Sequence, residues 1–138
     1  MATFLLDASA LLAREDPSDQ HHVAMVQIMR GASRLSTLDL AFYEVTNVAI
    51  RAWKDRSAAR RLHLRIDAIG DDGGIVRARP TLLAEAAELA EEHEISAYDA
   101  AYVVAARHVG AQLVSCDVRD LVSRGLAILP EVALRSAD

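Results

Sequence analysis

The chain has 138 residues, 52% of them hydrophobic and only 4% aromatic, and a formal net charge of −5. This composition excludes a disordered segment and suits a single domain, 1–138, with an aliphatic core. The negative charge excludes a surface that attracts nucleic acid everywhere, and no run approaches the roughly 20 apolar residues of a membrane span, so we expect a soluble cytoplasmic protein with no membrane partner.

Short apolar runs alternate with helix-like segments along the chain. The first pair is "TFLLD" (3–7), predicted as a buried strand, and "ASALLARE" (8–15), predicted as a short helix. Further helices are predicted at 21–30, 38–54, 57–70, 80–94 and 95–106, further strands at 33–37, 75–79 and 111–117, a short helix or turn at 118–125, and an edge strand at 126–129. This alternation predicts an α/β fold, an α/β/α sandwich with a central parallel sheet.

Two acidic residues end predicted strands. Asp7 closes the first strand and Asp117 closes the strand "QLVSC". Parallel strands joined by right-handed crossovers point the same way, so both carboxylates should lie at the carboxyl edge of the sheet. Open α/β sheets usually place their functional sites at that edge.

Two further acids lie on predicted helices. Asp99 stands in the first turn of a helix whose other residues are almost all apolar or small, so we expect its carboxylate to be enclosed. Glu44 lies on the helix after the second strand, and Asn47 and Arg51 follow at spacings that put all three on one polar face. Buried carboxylates need partners, because desolvating a charge costs several kcal/mol.

Each acid also has a purely structural interpretation. Asp7 and Asp117 could cap the short helices that follow them, Asp99 could belong to a capping box with Ser96, and Glu44 could be a solvated surface acid. If the four converge, however, mutual repulsion requires a cation among them or raised pKa values. Oxygen ligands without clustered Cys or His favour a hard cation, Mg²⁺ or Mn²⁺.

Four stretches in order resemble the motifs of PIN-domain nucleases, and most of all those of VapC toxins from type II toxin–antitoxin pairs. They are "FLLDASALL", "YEVTNVA", "SAYDAAYVVAA" and "LVSCDVRDL", and together they span nearly the full length. The resemblance implies a compact PIN-like α/β/α fold and a Mg²⁺-dependent endoribonuclease in which Mn²⁺ can substitute. It also implies inhibition by a cognate VapB-type antitoxin and assembly into a homodimer.

The resemblance assigns a role to each acid. Asp7, Glu44, Asp99 and Asp117 match the catalytic acids of the family, with Asp7 and Asp99 as the main metal ligands. The reaction implied is hydrolysis of an RNA phosphodiester by a metal-activated water, which Glu44 or Asp117 would orient or deprotonate. Ser9, Ser115 and Arg51 are predicted to contact the substrate. Ser115 replaces the threonine of many relatives. For Asp120, three residues beyond Asp117, we expect a position facing solvent.

Contact with RNA requires basic residues on an acidic protein. The best candidates are Arg51, Lys54, Arg56, Arg60, Arg61 and Arg65, which could instead form a solvated face of paired helices. Two other functions stay open: a catalytically silent PIN-fold binding module and a receiver-like signalling domain. A receiver needs a lysine at the end of a late strand, whereas Lys54 is the only lysine and lies on a predicted helix.

Overall fold

The structure is a computed structural model that describes residues 2–137. Its strands are β1 (Thr3–Leu6), β2 (Arg34–Leu38), β3 (Ile75–Val76) and β4 (Gln112–Val114). Its helices are α1 (Ala8–Glu15), α2 (His22–Arg30), α3 (Leu40–Arg51), α4 (Arg56–Asp71), α5 (Pro80–His93), α6 (Ala97–His108) and α7 (Pro130–Ser136), with a short 3-10 turn at Val122–Arg124. Among the described residues, no helix is long and apolar enough to cross a membrane.

The four strands form one parallel sheet in the order β3-β2-β1-β4. The interior strand β1 pairs on one side with β2 and on the other with β4, and Leu6 lies opposite both Thr37 and Val114. Phe4, Leu5 and Leu6 are fully buried, as a strand covered on both faces requires. The predicted fold class is therefore confirmed.

The strand order determines where the helices lie. The chain moves from β1 to β2 to β3 in one direction and then returns past β1 to β4. With the right-handed crossovers that parallel strands adopt almost without exception, this order places α1 to α4 on one face of the sheet and α5 and α6 on the other. The direction of winding reverses between β1 and β4, and the residues after these two strands border the crevice in which such folds bind ligands.

The amphipathic pattern of the sequence explains most of the helix packing. Helix α3 buries Ala41, Val45 and Ala49, and α4 buries a similar stripe that includes Leu62 and Ile66. Helix α6 is buried from Ala100 to Ala106 on nearly every side, because it lies between the sheet and α5. This all-round burial anchors the helix whose first turn carries Asp99.

Three parts of the fold differ from expectation. Strand β3 is only Ile75–Val76, and the predicted edge strand at 126–129 is reduced to one parallel bridge between Ile128 and Val114. Helix α7 was not predicted. It packs against α2, where Glu131 pairs with the buried side chain of His21.

Candidate active site

Asp7 follows β1 directly and caps the N-terminus of α1. Its Oδ1 accepts hydrogen bonds from the backbone N–H of Ala10 at 3.0 Å and from the hydroxyl of Ser9 at 2.6 Å. The residue is only 5% exposed. Burial raises the pKa of the Asp7 carboxyl group, while the hydroxyls of Ser115 and Ser9 oppose that rise. The capping role is therefore real, and it fixes a buried carboxylate at the carboxyl edge of the sheet.

Two serine hydroxyls connect Asp7 to the segment after β4. Ser9 Oγ accepts the backbone N–H of Cys116 at 2.9 Å and lies 3.3 Å from Ser115 Oγ. Ser115 Oγ accepts the backbone N–H of Asp117 at 3.0 Å. Ser115 is fully buried, which does not fit the substrate contact predicted for it. Both hydroxyls instead hold the segments that carry the acids.

Asp99 lies in the first turn of α6, where Ser96 Oγ accepts its backbone N–H at 3.0 Å. Its side chain is half-buried. Burial raises the pKa of the Asp99 carboxyl group to about 6, and the negative charges of Asp117, Asp7 and Asp120 add to the rise. The structure therefore brings Asp99 within electrostatic reach of the acids that follow β1 and β4.

Glu44 reaches the same region from α3. Its Oε1 accepts a hydrogen bond of 2.7 Å from the hydroxyl of Tyr102, which lies on α6. Burial raises the pKa of the Glu44 carboxyl group, the Tyr102 hydrogen bond lowers it, and the charge of Asp99 raises it further. All four acids predicted from the sequence thus converge. Tyr102 was not predicted, because the apolar pattern of α6 makes it look like an ordinary core aromatic.

Asp120 belongs to the acid cluster as well, contrary to the expectation that it faces solvent. One carboxylate oxygen each of Asp99, Asp117 and Asp120 lies within 4.8 Å of the others. The backbone N–H of Asp120 also donates to Asp117 Oδ1 at 3.0 Å, which folds the segment so that both side chains approach Asp99. The three-residue spacing from Asp117 was the available signal, because it is the spacing of a capped turn.

The acid cluster has the chemistry of a hard-cation site. Two carboxylate charges about 5 Å apart repel by about 3 kcal/mol at an effective dielectric of about 20. Burial is the main cause of the raised pKa values of Asp7, Glu44 and Asp99, and repulsion from neighbouring acids adds to it. A divalent cation would relieve it, and an all-oxygen donor set fits Mg²⁺ or Mn²⁺.

The predicted basic stretch is divided by the structure. Arg61 and Arg65 both pair with Glu15, whose side chain is only 6% exposed at the last residue of α1. At 1.5 Å per residue, that end of α1 is about 12 Å from the end beside Asp7. Arg51 is exposed and borders an open groove between α3 and α4. The other residues that line this groove are Phe42, Tyr43, Thr46, Asn47, Ile50 and His63.

Comparison with known proteins connects this geometry to a family. A family profile described as "PIN domain" matches residues 4–124. Among curated proteins, the chain is similar to one described as Ribonuclease VapC3 from Pyrobaculum aerophilum. The two are 34% identical over 122 residues, which cover 82% of this chain and 88% of that protein.

Solved structures have the same fold. VapC20 of Mycobacterium tuberculosis, described as a sarcin-ricin loop cleaving toxin, superposes with a TM-score of 0.72 at 19% identity, covering 88% of this chain and 95% of that one. A toxin–antitoxin complex from Klebsiella pneumoniae gives a TM-score of 0.71 at 14% identity, covering 94% and 98%. At these identities the likeness shows the shared fold.

Proposed function

This chain belongs to the PIN-domain family, in its VapC group, and on that premise we propose that it is a Mg²⁺-dependent endoribonuclease toxin. One observation carries the proposal. Carboxylates from four separate parts of the chain meet at the switch point of the sheet, and Asp99 among them has a pKa raised to about 6. A cation bound among these carboxylates would offset the burial and the repulsion that raise the pKa of Asp99.

We propose Asp7 and Asp99 as the main metal ligands, with Asp117 and Asp120 completing the acidic pocket. Asp7 is the most constrained of these, because its carboxylate is fixed by Ser9 and by the backbone of Ala10. When bound, a divalent cation would neutralise the acids, withdraw charge from a phosphodiester and lower the pKa of water. The residues after β1 and β4 supply the rigid frame that such a site requires.

Glu44 is the residue that we propose for handling the proton of the attacking water. Its Oε1 is held by Tyr102, so the carboxylate has a defined orientation toward the region of Asp99. An ionised carboxylate at this position would orient the water and accept its proton. Asp117 is the second candidate for this role, because it reaches the same pocket from the segment after β4.

RNA is the proposed substrate, because the chain is 34% identical to a protein described as a ribonuclease. We assign Arg51 as a substrate contact, since it is exposed and shares the polar face of α3 with Glu44. Ser9 is assigned to hold Asp7, and a water or phosphate oxygen could reach its partly buried hydroxyl. An RNA substrate would place the protein in the cytoplasm.

A cognate VapB-type antitoxin is the proposed protein partner. The similarity in fold to a toxin–antitoxin complex supports it. We further propose a homodimer, for which the exposed apolar side chains offer the material: Tyr43 is 77% exposed and Ile50 43% exposed, both on α3. Exposed apolar patches of this kind are typical of protein contact surfaces.

The first test replaces single acids and measures RNA cleavage. Asp7→Asn and Asp99→Asn each remove one charge while keeping the size of the side chain, and asparagine still caps a helix as well as aspartate does. We expect each variant to lose at least 100-fold in the rate of Mg²⁺-dependent cleavage of single-stranded RNA. End-group analysis of the products would identify the bond that is broken.

Asp55→Asn is the matched control for Asp7→Asn. Asp55 caps α4 through the N–H of Ala58 at 3.0 Å, the same cap that Asp7 makes on α1. The control should cleave RNA like the wild type. Full cleavage by folded Asp7→Asn or Asp99→Asn protein would refute the site, and a wild type without metal-dependent cleavage would favour a silent binding module.

A further inference from the structure

Tyr102 lies one helical turn after Asp99 on α6. A spacing of three residues puts both side chains on the same face of the helix. Tyr102 is only 2% exposed, and its hydroxyl is the donor of the 2.7 Å hydrogen bond to Glu44 Oε1. The side chain therefore bridges the two helices that carry the helix-borne acids.

The same hydroxyl also reaches the start of α1. The backbone of Ala8, the residue directly after Asp7, and the charge of Asp7 both lie near enough to the Tyr102 hydroxyl to affect its pKa. One oxygen atom thus lies between α6 with Asp99, α3 with Glu44, and the start of α1 beside Asp7. Burial and the neighbouring charge of Glu44 raise the pKa of the hydroxyl far above its usual range, so it remains a donor at any working pH.

Building on the proposed function, we infer that Tyr102 is a positioning residue that holds the Glu44 carboxylate against Asp7 and Asp99. Its hydrogen bond occupies Oε1 of Glu44, and within residues 2–137 no protein group donates to Oε2. A carboxylate with one oxygen fixed and the other free has the arrangement that a water-orienting base needs. Tyr102 itself does not touch the reacting atoms.

The ordinary alternative is that Glu44 merely satisfies a buried tyrosine. Both interpretations predict some loss of stability when the hydroxyl is removed, so stability does not separate them. They differ in whether the hydroxyl acts through Glu44 on the chemical step. A double-mutant cycle measures that dependence directly, because two residues that act as a unit have non-additive effects.

The experiment compares Tyr102→Phe, Glu44→Ala and the double variant in RNA cleavage under saturating Mg²⁺. We expect Tyr102→Phe to lower kcat about tenfold with KM changed less than twofold. In the Glu44→Ala background, Tyr102→Phe should lower the remaining rate less than twofold. Tyr98→Phe is the matched control, because Tyr98 lies on the same helix and is 62% exposed, and its kcat should equal that of the wild type.

Other outcomes would overturn the inference. An unchanged kcat in Tyr102→Phe, beside an active wild type, rejects the positioning role and leaves the proposed nuclease function intact. A tenfold loss in both backgrounds means that the hydroxyl acts on the fold and not through Glu44. If the wild type and Tyr98→Phe both fail to cleave RNA, the proposed function itself is wrong, and the inference is wrong with it.

Discussion

At the scale of single residues, the acids illustrate how one side chain can serve both the fold and the site. Asp7 caps α1 and Asp117 accepts the N–H of Asp120, as local sequence rules predict. The same constraints orient their carboxylates toward Asp99. Capping and ligand placement are compatible here, because helices that begin at the carboxyl edge present their first N–H groups to the crevice.

The raised pKa of Asp99 predicts a pH-dependent cost to stability in the metal-free protein. The group has a pKa of about 6 in the folded state, against 3.8 for a free aspartate side chain. Between these values the folded state binds more protons than the unfolded state, so stability falls as the pH rises from about 4 to about 6 and remains reduced above that. Asp99→Asn removes this cost.

We expect the free energy of unfolding of Asp99→Asn, minus that of the wild type, to be larger at pH 8 than at pH 4 by about 1 kcal/mol. This value is reduced because the carboxylate is half-exposed and screened by solvent. Urea unfolding in EDTA at both pH values measures the difference. An identical difference between variant and wild type at pH 4 and pH 8 would contradict the shifted pKa.

The sequence predicted the site residues whose role follows from their position on a strand or helix. It did not predict those whose role depends on a contact with a residue far away in the chain. Asp7, Glu44, Asp99 and Asp117 follow from strand ends, helix turns and the family motifs. The hydroxyl of Tyr102 reaches Glu44 across 58 positions of the chain, and no local pattern encodes such a contact. Asp120 was misplaced because an isolated acid in a turn is usually solvated.

At the scale of elements, the helices were predicted well and the short elements poorly. Helix α1 has the predicted bounds, because its apolar spacing and its cap agree. Helix α7 has seven residues, and it is stabilised by packing on α2 and by the Glu131–His21 pair, which tertiary structure alone brings together. Helix α3 is shorter at both ends than the predicted range 38–54, and Ala52, just after its last residue, is exposed.

The ion pairs between α1 and α4 predict that two arginines stabilise the fold and do not bind RNA. Arg61 and Arg65 neutralise the buried carboxylate of Glu15 at the end of α1 remote from Asp7. We expect the double change Arg61→Gln and Arg65→Gln to lower Tm by about 4 °C. The slope of log Kd for RNA against log salt concentration should stay unchanged, because no phosphate contact is lost.

Arg56 and Arg60 provide the comparison within the same helix. Both are exposed, and neither forms an ion pair with another described residue. Replacing them with glutamine should leave Tm within about 1 °C of the wild type. A salt slope reduced by about one per arginine would show that this end of α4 contacts phosphate. A reduced slope in the Arg61 and Arg65 variant would instead contradict the structural role of that pair.

At the scale of the whole molecule, alternating strands and helices predicted a parallel sheet but not the order of its strands. The order β3-β2-β1-β4 depends on which edge of the sheet β4 joins, and the alternation of strands and helices does not determine that edge. The switch point between β1 and β4 results from the choice of edge. The sequence therefore predicted that Asp7 and Asp117 lie at the same edge of the sheet. It did not predict that their strands, β1 and β4, are neighbours.

The concentration of acids at one edge also predicts that a divalent cation stabilises the whole fold. A ligand that binds only the folded state adds stability by mass action, about 2.7 kcal/mol at a hundred times its Kd. We expect Mn²⁺ or Mg²⁺ to raise the Tm of the wild type at pH 8. The increase should be smaller at pH 5, where the Asp99 carboxyl group is mostly protonated. Protons then compete with the cation for this carboxylate.

Single-acid variants then show which carboxylates hold the ion. The family motifs favour Asp7 and Asp99, whereas the three acids with carboxylate oxygens within 4.8 Å of one another are Asp99, Asp117 and Asp120. Loss of the metal-dependent Tm increase in Asp7→Asn, with Asp120→Asn like the wild type, supports the first set, and the reverse pattern supports the second. Asp99 is common to both, so a full increase in Asp99→Asn would contradict any cation site at this edge. The Asp55→Asn control should respond to metal as the wild type does, because it caps α4 and takes no part in the cluster.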